Sequence, residues 1–251
     1  MKPGTGTIIL VAALLAAFGI ELASHSVGNE ALLLKLGALP DNGELHSQYW
    51  RLATYSLLHL NGTHLLVNAM LLLWIGRIVE SRVNIADASA IYVSSVLCSA
   101  ALILLVHHLY PKTGATMGAS GGVFGLLAAA LIISYRQKAE PLDRQSRLRT
   151  LLWIALLVGL GISLLPGISM AGHVGGLIGG AVVAPLIRAH YETLSVVAMR
   201  VNNPDRSPVP PSIRAALARR GRRGEGQCSA SESARRGTFW AWPKEVLTLA
   251  V

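Results

Sequence analysis

Six stretches of the chain run almost wholly apolar, at about residues 7–24, 63–80, 87–107, 119–135, 150–167 and 171–188. Each is near the roughly 20 residues that a helix needs to cross a bilayer, so the pattern predicts an all-α membrane protein with six transmembrane helices. The first stretch, "TIILVAALLAAFGIELA", follows Lys2 and has the short apolar core of a cleaved signal peptide. Glu21 and the lack of a clear small-x-small cleavage site favour a retained helix instead. The connection over 24–62 is long for a helix bundle, and long connections often carry function. Its end, "YWRLATYSLLHLNGTH", mixes apolar and polar residues without a spanning pattern, which predicts partial embedding at the membrane interface. Beyond about residue 192 the chain turns to "NNPDRSPVPPS" and "ARRGRRGEGQCSASESARRG", a composition that cannot bury a core. The expected division is a six-helix membrane domain over 1–190 and a basic, Pro/Arg/Ser-rich, largely disordered cytoplasmic tail over 191–251.

Composition agrees with a multi-pass membrane protein. The 251 residues are 52% hydrophobic and 14% charged, with a mean hydropathy of +0.50, against a charged fraction near a quarter in soluble domains. A net charge of +9 and a pI near 10.1 would suggest nucleic acid, but from Arg188 onward the tail holds eleven Lys/Arg against five Asp/Glu. The charge therefore implies a basic segment beside membrane lipids and no nucleic-acid partner. Lys and Arg in short loops accumulate on the cytoplasmic side. Arg77, Arg82, Arg136, Lys138, Arg144, Arg147 and Arg149 fall in the second-to-third and fourth-to-fifth connections, on the side of Lys2 and the tail. Lys35, Arg51 and Lys112 fall on the other. Both termini are thus expected in the cytoplasm, as in a bacterial inner membrane, and the even-numbered helices enter from the extracytoplasmic face. Cys98 and Cys228 have no metal-type spacing and no disulfide framework.

Polar side chains inside membrane spans are costly, which makes each a functional candidate. His64 and Asn68 are four residues apart and share a face of the second span. Ser120 opens the fourth span and His173 lies in the first turn of the sixth, so all four sit at similar depth beneath the outer surface. Taken singly, Ser120 could cap a helix and His173 could be a packed core histidine. His59, His64 and His173 could also ligate a metal, although carboxylates and thiols are not near them in sequence. Taken jointly, they supply a nucleophile, a base and donors for an oxyanion. Gly172, Gly176 and Gly180 recur every four residues, as do Gly121 and Gly125. Such spacing lets membrane helices approach closely enough for a Ser–His hydrogen bond.

Four stretches, in this order and placement, resemble the rhomboid intramembrane serine proteases: "YWR" (49–51), "HLNGTHLLVN" (59–68), "GASG" (118–121) and "GHVGGLIGG" (172–180). The resemblance implies Ser120 as nucleophile and His173 as its base, with no acidic third member, no metal and no cofactor. It implies an oxyanion hole formed by His64, Asn68 and the Ser120 amide, and room for the substrate backbone at Gly118. His59 would be a structural partner at the top of the second helix. Phe124 stands at an aromatic position, Tyr in many members, that supports the catalytic imidazole, and Gly176 and Gly180 would line the helix contact below it. Arg51 and Glu80 also match family positions. They are expected to act as separate scaffold residues at opposite membrane faces, with partners left open. The implied activity is hydrolysis of a peptide bond in or next to the transmembrane segment of a membrane-protein substrate. A catalytically silent rhomboid-like protein that binds membrane clients would be expected to lack the nucleophile or the base, and both are present. A transporter would need charged residues at mid-membrane, which these spans do not offer.

Overall fold

The computed structural model describes residues 4–136 and 142–187, the side chains of 142–144 excepted. The expected basic tail over 191–251 lies outside the described residues. The chain begins with α1 (Thr5–Ala23), then a connecting segment holding α2 (Glu30–Leu36), β1 (Leu39–Pro40), α3 (Arg51–Thr54) and a 3-10 turn at Tyr55–Leu57. There follow α4 (Gly62–Glu80), α5 (Ile85–Leu109), β2 (Ala115–Thr116), α6 (Ser120–Arg136), α7 (Leu142–Ile162) and α8 (Met170–Leu186). Four helices, α1, α4, α5 and the Gln145–Ile162 part of α7, are long and apolar enough to cross a membrane. The other two apolar helices, α6 and α8, are 17 residues each, within a residue of the lengths that the apolar pattern predicts. α6 is buried along Gly121–Leu131 and meets neighbouring helices where the outer helices turn Ile, Leu and Val side chains outward.

Local chemistry fixes where the helices start. Asn61 caps α4 by accepting the His64 N–H at 2.9 Å, Asn84 caps α5 by accepting the Asp87 N–H at 2.8 Å, and Ser169 caps α8 by accepting the Gly172 N–H at 3.1 Å. Each cap satisfies a backbone donor that the first helical turn leaves without a partner. His64 and His173 are thereby held in the opening turns of their helices.

The segment between α1 and α4 is ordered by backbone and side-chain bonds. β1 and β2 pair antiparallel, Leu39 opposite Thr116 and Pro40 opposite Ala115. Arg51 donates through Nη1 to the Leu34 and Ala38 carbonyls (2.5 and 2.7 Å) and through Nε to Gln48 Oε1 (2.6 Å). Glu80, at the far end of α4, accepts the Gly6 N–H at 3.1 Å and both the N–H and the hydroxyl of Thr7 at 2.5 Å. Arg51 thus braces the connecting segment, while Glu80 anchors the first turn of α1. A third tie joins the other end of α1 to the approach to α4: buried Glu21 accepts the His59 N–H at 3.0 Å through Oε1.

α8 lies between α5 and α6, and glycine makes both contacts. A Cβ on Gly175 would stand 2.7 Å from the Cys98 carbonyl oxygen, and one on Gly179 would stand 2.7 Å from that of Ser94, both on α5. On the other side, Cβ atoms on Gly176 and Gly180 would overlap the carbonyls of Gly121 and Gly125 on α6. Gly121 and Gly125 in turn leave room for the side chains of Ser99 and Ser95 from α5. The backbone of α8 therefore meets those of α5 and α6 without intervening side chains, the close approach that small residues permit between membrane helices.

Gly176→Ala forces α8 off α6 and should lower unfolding stability by about 1–3 kcal/mol, as overpacking of a tight contact does. Gly161→Ala on α7, where nothing lies within 4 Å of the added methyl, should leave the thermal midpoint unchanged or raise it. Thermal unfolding of the detergent-solubilised full chain distinguishes the two. In the same assay, Glu21→Ala strands the buried His59 N–H and should cost about 1–3 kcal/mol. Glu21→Gln, which keeps an acceptor oxygen, should retain most of that stability.

Candidate active site

The turn before α6 depends on Gly118. Its φ of 129° is one that a residue with a side chain rarely adopts, and its N–H donates to the Tyr55 carbonyl at 2.9 Å. A Cβ here would lie 2.7 Å from Cε1 and 2.8 Å from Nε2 of His64. The space that the sequence assigned to a substrate backbone is therefore bordered directly by the His64 ring. Ser120 is the first residue of α6. The bond from the Val123 N–H to the Ala119 carbonyl, at 3.1 Å, starts the helical ladder, and the Ser120 N–H precedes it, among the donors that a helix N-terminus leaves unpaired.

His173 comes in from α8 and meets Ser120: Nε2 lies 2.9 Å from Oγ. Phe124, one turn beyond Ser120 on the same face of α6, stacks on the imidazole with ring centroids 4.1 Å apart and planes 13° from parallel. The other ring nitrogen, Nδ1, lies 2.5 Å from the hydroxyl of Ser163, just past the end of α7. The imidazole is thus held at both nitrogens and on one face. Gly176 and Gly180, one and two turns further along α8, make the backbone contact with α6 that sets its distance from Ser120.

His64 and Asn68 occupy one face of α4, as their spacing predicts, and the buried Asn68 donates through Nδ2 to the His64 carbonyl at 3.0 Å. The His64 ring meets His59 edge to face, with centroids 5.1 Å apart. His59 is fully buried, with Nδ1 at 3.2 Å from the Leu57 carbonyl. Burial, and after it the nearby His64, push the His59 imidazole down to about 4, against the opposing pull of the Leu57 carbonyl. His59 is therefore neutral near pH 7 and acts as a wall behind His64. Among the described residues no group of three or more His, Cys, Asp or Glu side chains is arranged to hold a metal ion. Both nitrogens of His173 already face serine hydroxyls.

Ser163 and Glu21 are the contacts that sequence reasoning missed. "GLGISLLPG" offers a serine with no spacing that ties it to His173. Glu21 stood out only as a charge near the end of the first span, and nothing in the sequence points it at His59.

Comparison with known proteins bears on this arrangement. Residues 46–190 match the rhomboid domain family. The chain is 30% identical over 166 residues to RHOMBOID-like protein 7 of Arabidopsis thaliana, covering 64% of this chain and 50% of that one. It is 28% identical over 183 residues to Rhomboid protease GluP of Bacillus subtilis, covering 71% of this chain and 34% of the relative. To Rhomboid protease AarA of Providencia stuartii it is 28% identical over 199 residues, 72% of this chain and 70% of the relative. The matched region spans half or less of the length of the first two relatives. The family match over residues 46–190 takes in His59, His64, Asn68, Gly118, Ser120, Phe124, His173, Gly176 and Gly180. With apolar helices long enough to span a bilayer and a match over more than half its length, the chain belongs to the rhomboid family of integral membrane proteins.

Proposed function

We propose that this chain is an intramembrane serine endopeptidase that hydrolyses a peptide bond in or next to the transmembrane segment of its substrates. The observation that carries the reading is the hydrogen-bond distance of 2.9 Å between Ser120 Oγ and His173 Nε2, made across two helix N-termini. Ser120 attacks the scissile carbonyl, His173 takes its proton and returns it to the leaving amine, and water then hydrolyses the acyl-enzyme by the same route in reverse. His64, Asn68 and the Ser120 N–H hold the developing oxyanion. Donors of this kind contribute about 3 kcal/mol each in soluble serine proteases. Phe124 and the Gly176 and Gly180 contacts keep the imidazole in place.

The same reading has all six apolar helices spanning the bilayer, with both termini in the cytoplasm and the domain closing near residue 190. The site then lies just inside the extracytoplasmic face, where polar residues line a wet cavity. A substrate helix must expose a carbonyl that its own hydrogen bonds conceal, so transmembrane substrates with Gly or Pro near the cut are favoured. Membrane lipids surround the remaining helix faces, and no cofactor takes part.

Incubation of the purified full chain with a panel of labelled transmembrane substrates, followed by mass spectrometry of the products, tests the assignment. Ser120→Ala and His173→Ala should each abolish cleavage, and the double variant should be no worse than either single one, because the two residues act as a unit. Cleavage retained by either variant overturns the assignment. Wild-type protein that cleaves nothing in the panel counts for a silent, client-binding rhomboid-like protein. In the same assay Asn68→Ala should lower kcat by about a hundredfold or more with little change in KM, because its donor matters when the oxyanion forms. A raised KM with kcat intact would make Asn68 a substrate-positioning group.

A further inference from the structure

His173 can serve as a base towards Ser120 only if its proton is on Nδ1 and the Nε2 lone pair faces the serine. In the opposite tautomer, Nε2–H would donate to Ser120 Oγ and no acceptor would remain for the serine proton. Something must choose between them, and neither Ser120 nor Phe124 does: a hydroxyl accepts or donates equally, and an aromatic face does neither.

We infer that Ser163 is a positioning residue that sets the Nδ1–H tautomer of His173; the inference rests on the protease reading above. The Ser163 hydroxyl lies 2.5 Å from His173 Nδ1 and 2.7 Å from the Gly159 carbonyl oxygen one turn back on α7. A hydroxyl has one proton. The carbonyl can only accept, and its two lone pairs serve both the Ser163 N–H at 3.0 Å and the Ser163 O–H. With its proton directed to Gly159, the hydroxyl turns a lone pair to Nδ1, and the proton on that nitrogen is its natural partner. The chain then reads Ser120 O–H to Nε2, Nδ1–H to Ser163 Oγ, and Ser163 O–H to the Gly159 carbonyl, each bond polarising the next in one direction.

Proton balance through the reaction is closed. The Ser120 proton moves to Nε2 as the Oγ–carbon bond forms, and the imidazolium keeps its Nδ1 proton on Ser163 throughout. The Nε2 proton then passes to the leaving amine as the C–N bond breaks. Ser163 stays neutral, and its dipole, negative end towards the ring, favours the transient imidazolium. It does for orientation what a carboxylate does in a three-membered site. Gly159 has a second role in the same place. A Cβ there would come within 2.7 Å of the Phe124 ring, so this one turn of α7 makes room for the aromatic support of the imidazole and fixes its tautomer.

The test uses the full chain with 15N-labelled histidine in detergent micelles, the His173 signals being those absent from a His173→Gln spectrum. At neutral pH the wild type should show a protonated, pyrrole-type Nδ1 and an unprotonated, pyridine-type Nε2. Ser163→Ala should show mixed tautomers, and its kcat should fall about ten- to a hundredfold with KM within about twofold, the scale expected for a lost bond to a group that becomes charged. A wild-type spectrum with the proton on Nε2, or Ser163→Ala at wild-type kcat, overturns the inference. Because the spectrum needs no substrate, a wild type that shows the Nδ1–H tautomer and yet cleaves nothing overturns the protease reading alone.

Discussion

The close approach of α8 to α6, backbone against backbone at Gly176 on Gly121 and Gly180 on Gly125, is the contact on which the rest of the site depends. Within a bilayer the hydrophobic effect does not draw helices together, since lipid tails are as apolar as the side chains. Association rests on short-range packing and on hydrogen bonds. Small residues shorten the distance over which both act. Ser120 directly precedes Gly121, and His173 lies one turn before Gly176, so the 2.9 Å between Oγ and Nε2 follows from the spacing of the two backbones. On the opposite face, Gly175 and Gly179 repeat the approach against α5. α8 therefore cannot move away from α6 without opening the Ser120–His173 bond, and its contact with α5 holds it from the other side.

Around that contact the remaining elements act on the site at one remove. The Asn61 and Ser169 caps fix the starts of α4 and α8 and so the heights of His64 and His173. Glu21 ties the end of α1 to His59, which packs against His64. Gly118, with its positive φ, lets the chain pass beside the His64 ring and enter α6 at Ser120. At the end of α7, Ser163 closes the far side of the imidazole and Gly159 leaves room for the Phe124 ring that stacks on it. Arg51 and Glu80 hold the connecting segment and the start of α1, away from the reacting atoms.

The apolar stretches were legible because apolar helices announce themselves by length and hydropathy, and the helices begin and end within a few residues of the expected bounds, except that α7 begins and ends earlier, at Leu142 and Ile162. The meeting of Ser120 with His173 was legible for a different reason: each stands in the first turn of its helix, and the glycine spacing on the two helices gave the partner surfaces. The order within the 24–62 connection was not. α2, α3 and the two-residue β pair are stabilised by contacts with distant chain, such as Leu39 with Thr116 and Arg51 with the Ala38 carbonyl, and no local periodicity encodes them. Ser163 was hidden because a serine near a helix end commonly bonds back to its own carbonyls, as this one does to Gly159. Only the fold brings His173 to its other side.

In the proposed reaction Ser120 Oγ is the nucleophile and the groups around it converge on one oxyanion. A structure of the full chain after reaction with a fluorophosphonate tests both points at once. The expected result is phosphorus bonded to Ser120 Oγ with fluoride displaced, and the phosphoryl oxygen about 2.7–3.1 Å from the Ser120 N–H, Asn68 Nδ2 and a His64 ring nitrogen. Phosphorus on any other side chain, or an oxygen turned away from all three donors, would contradict it.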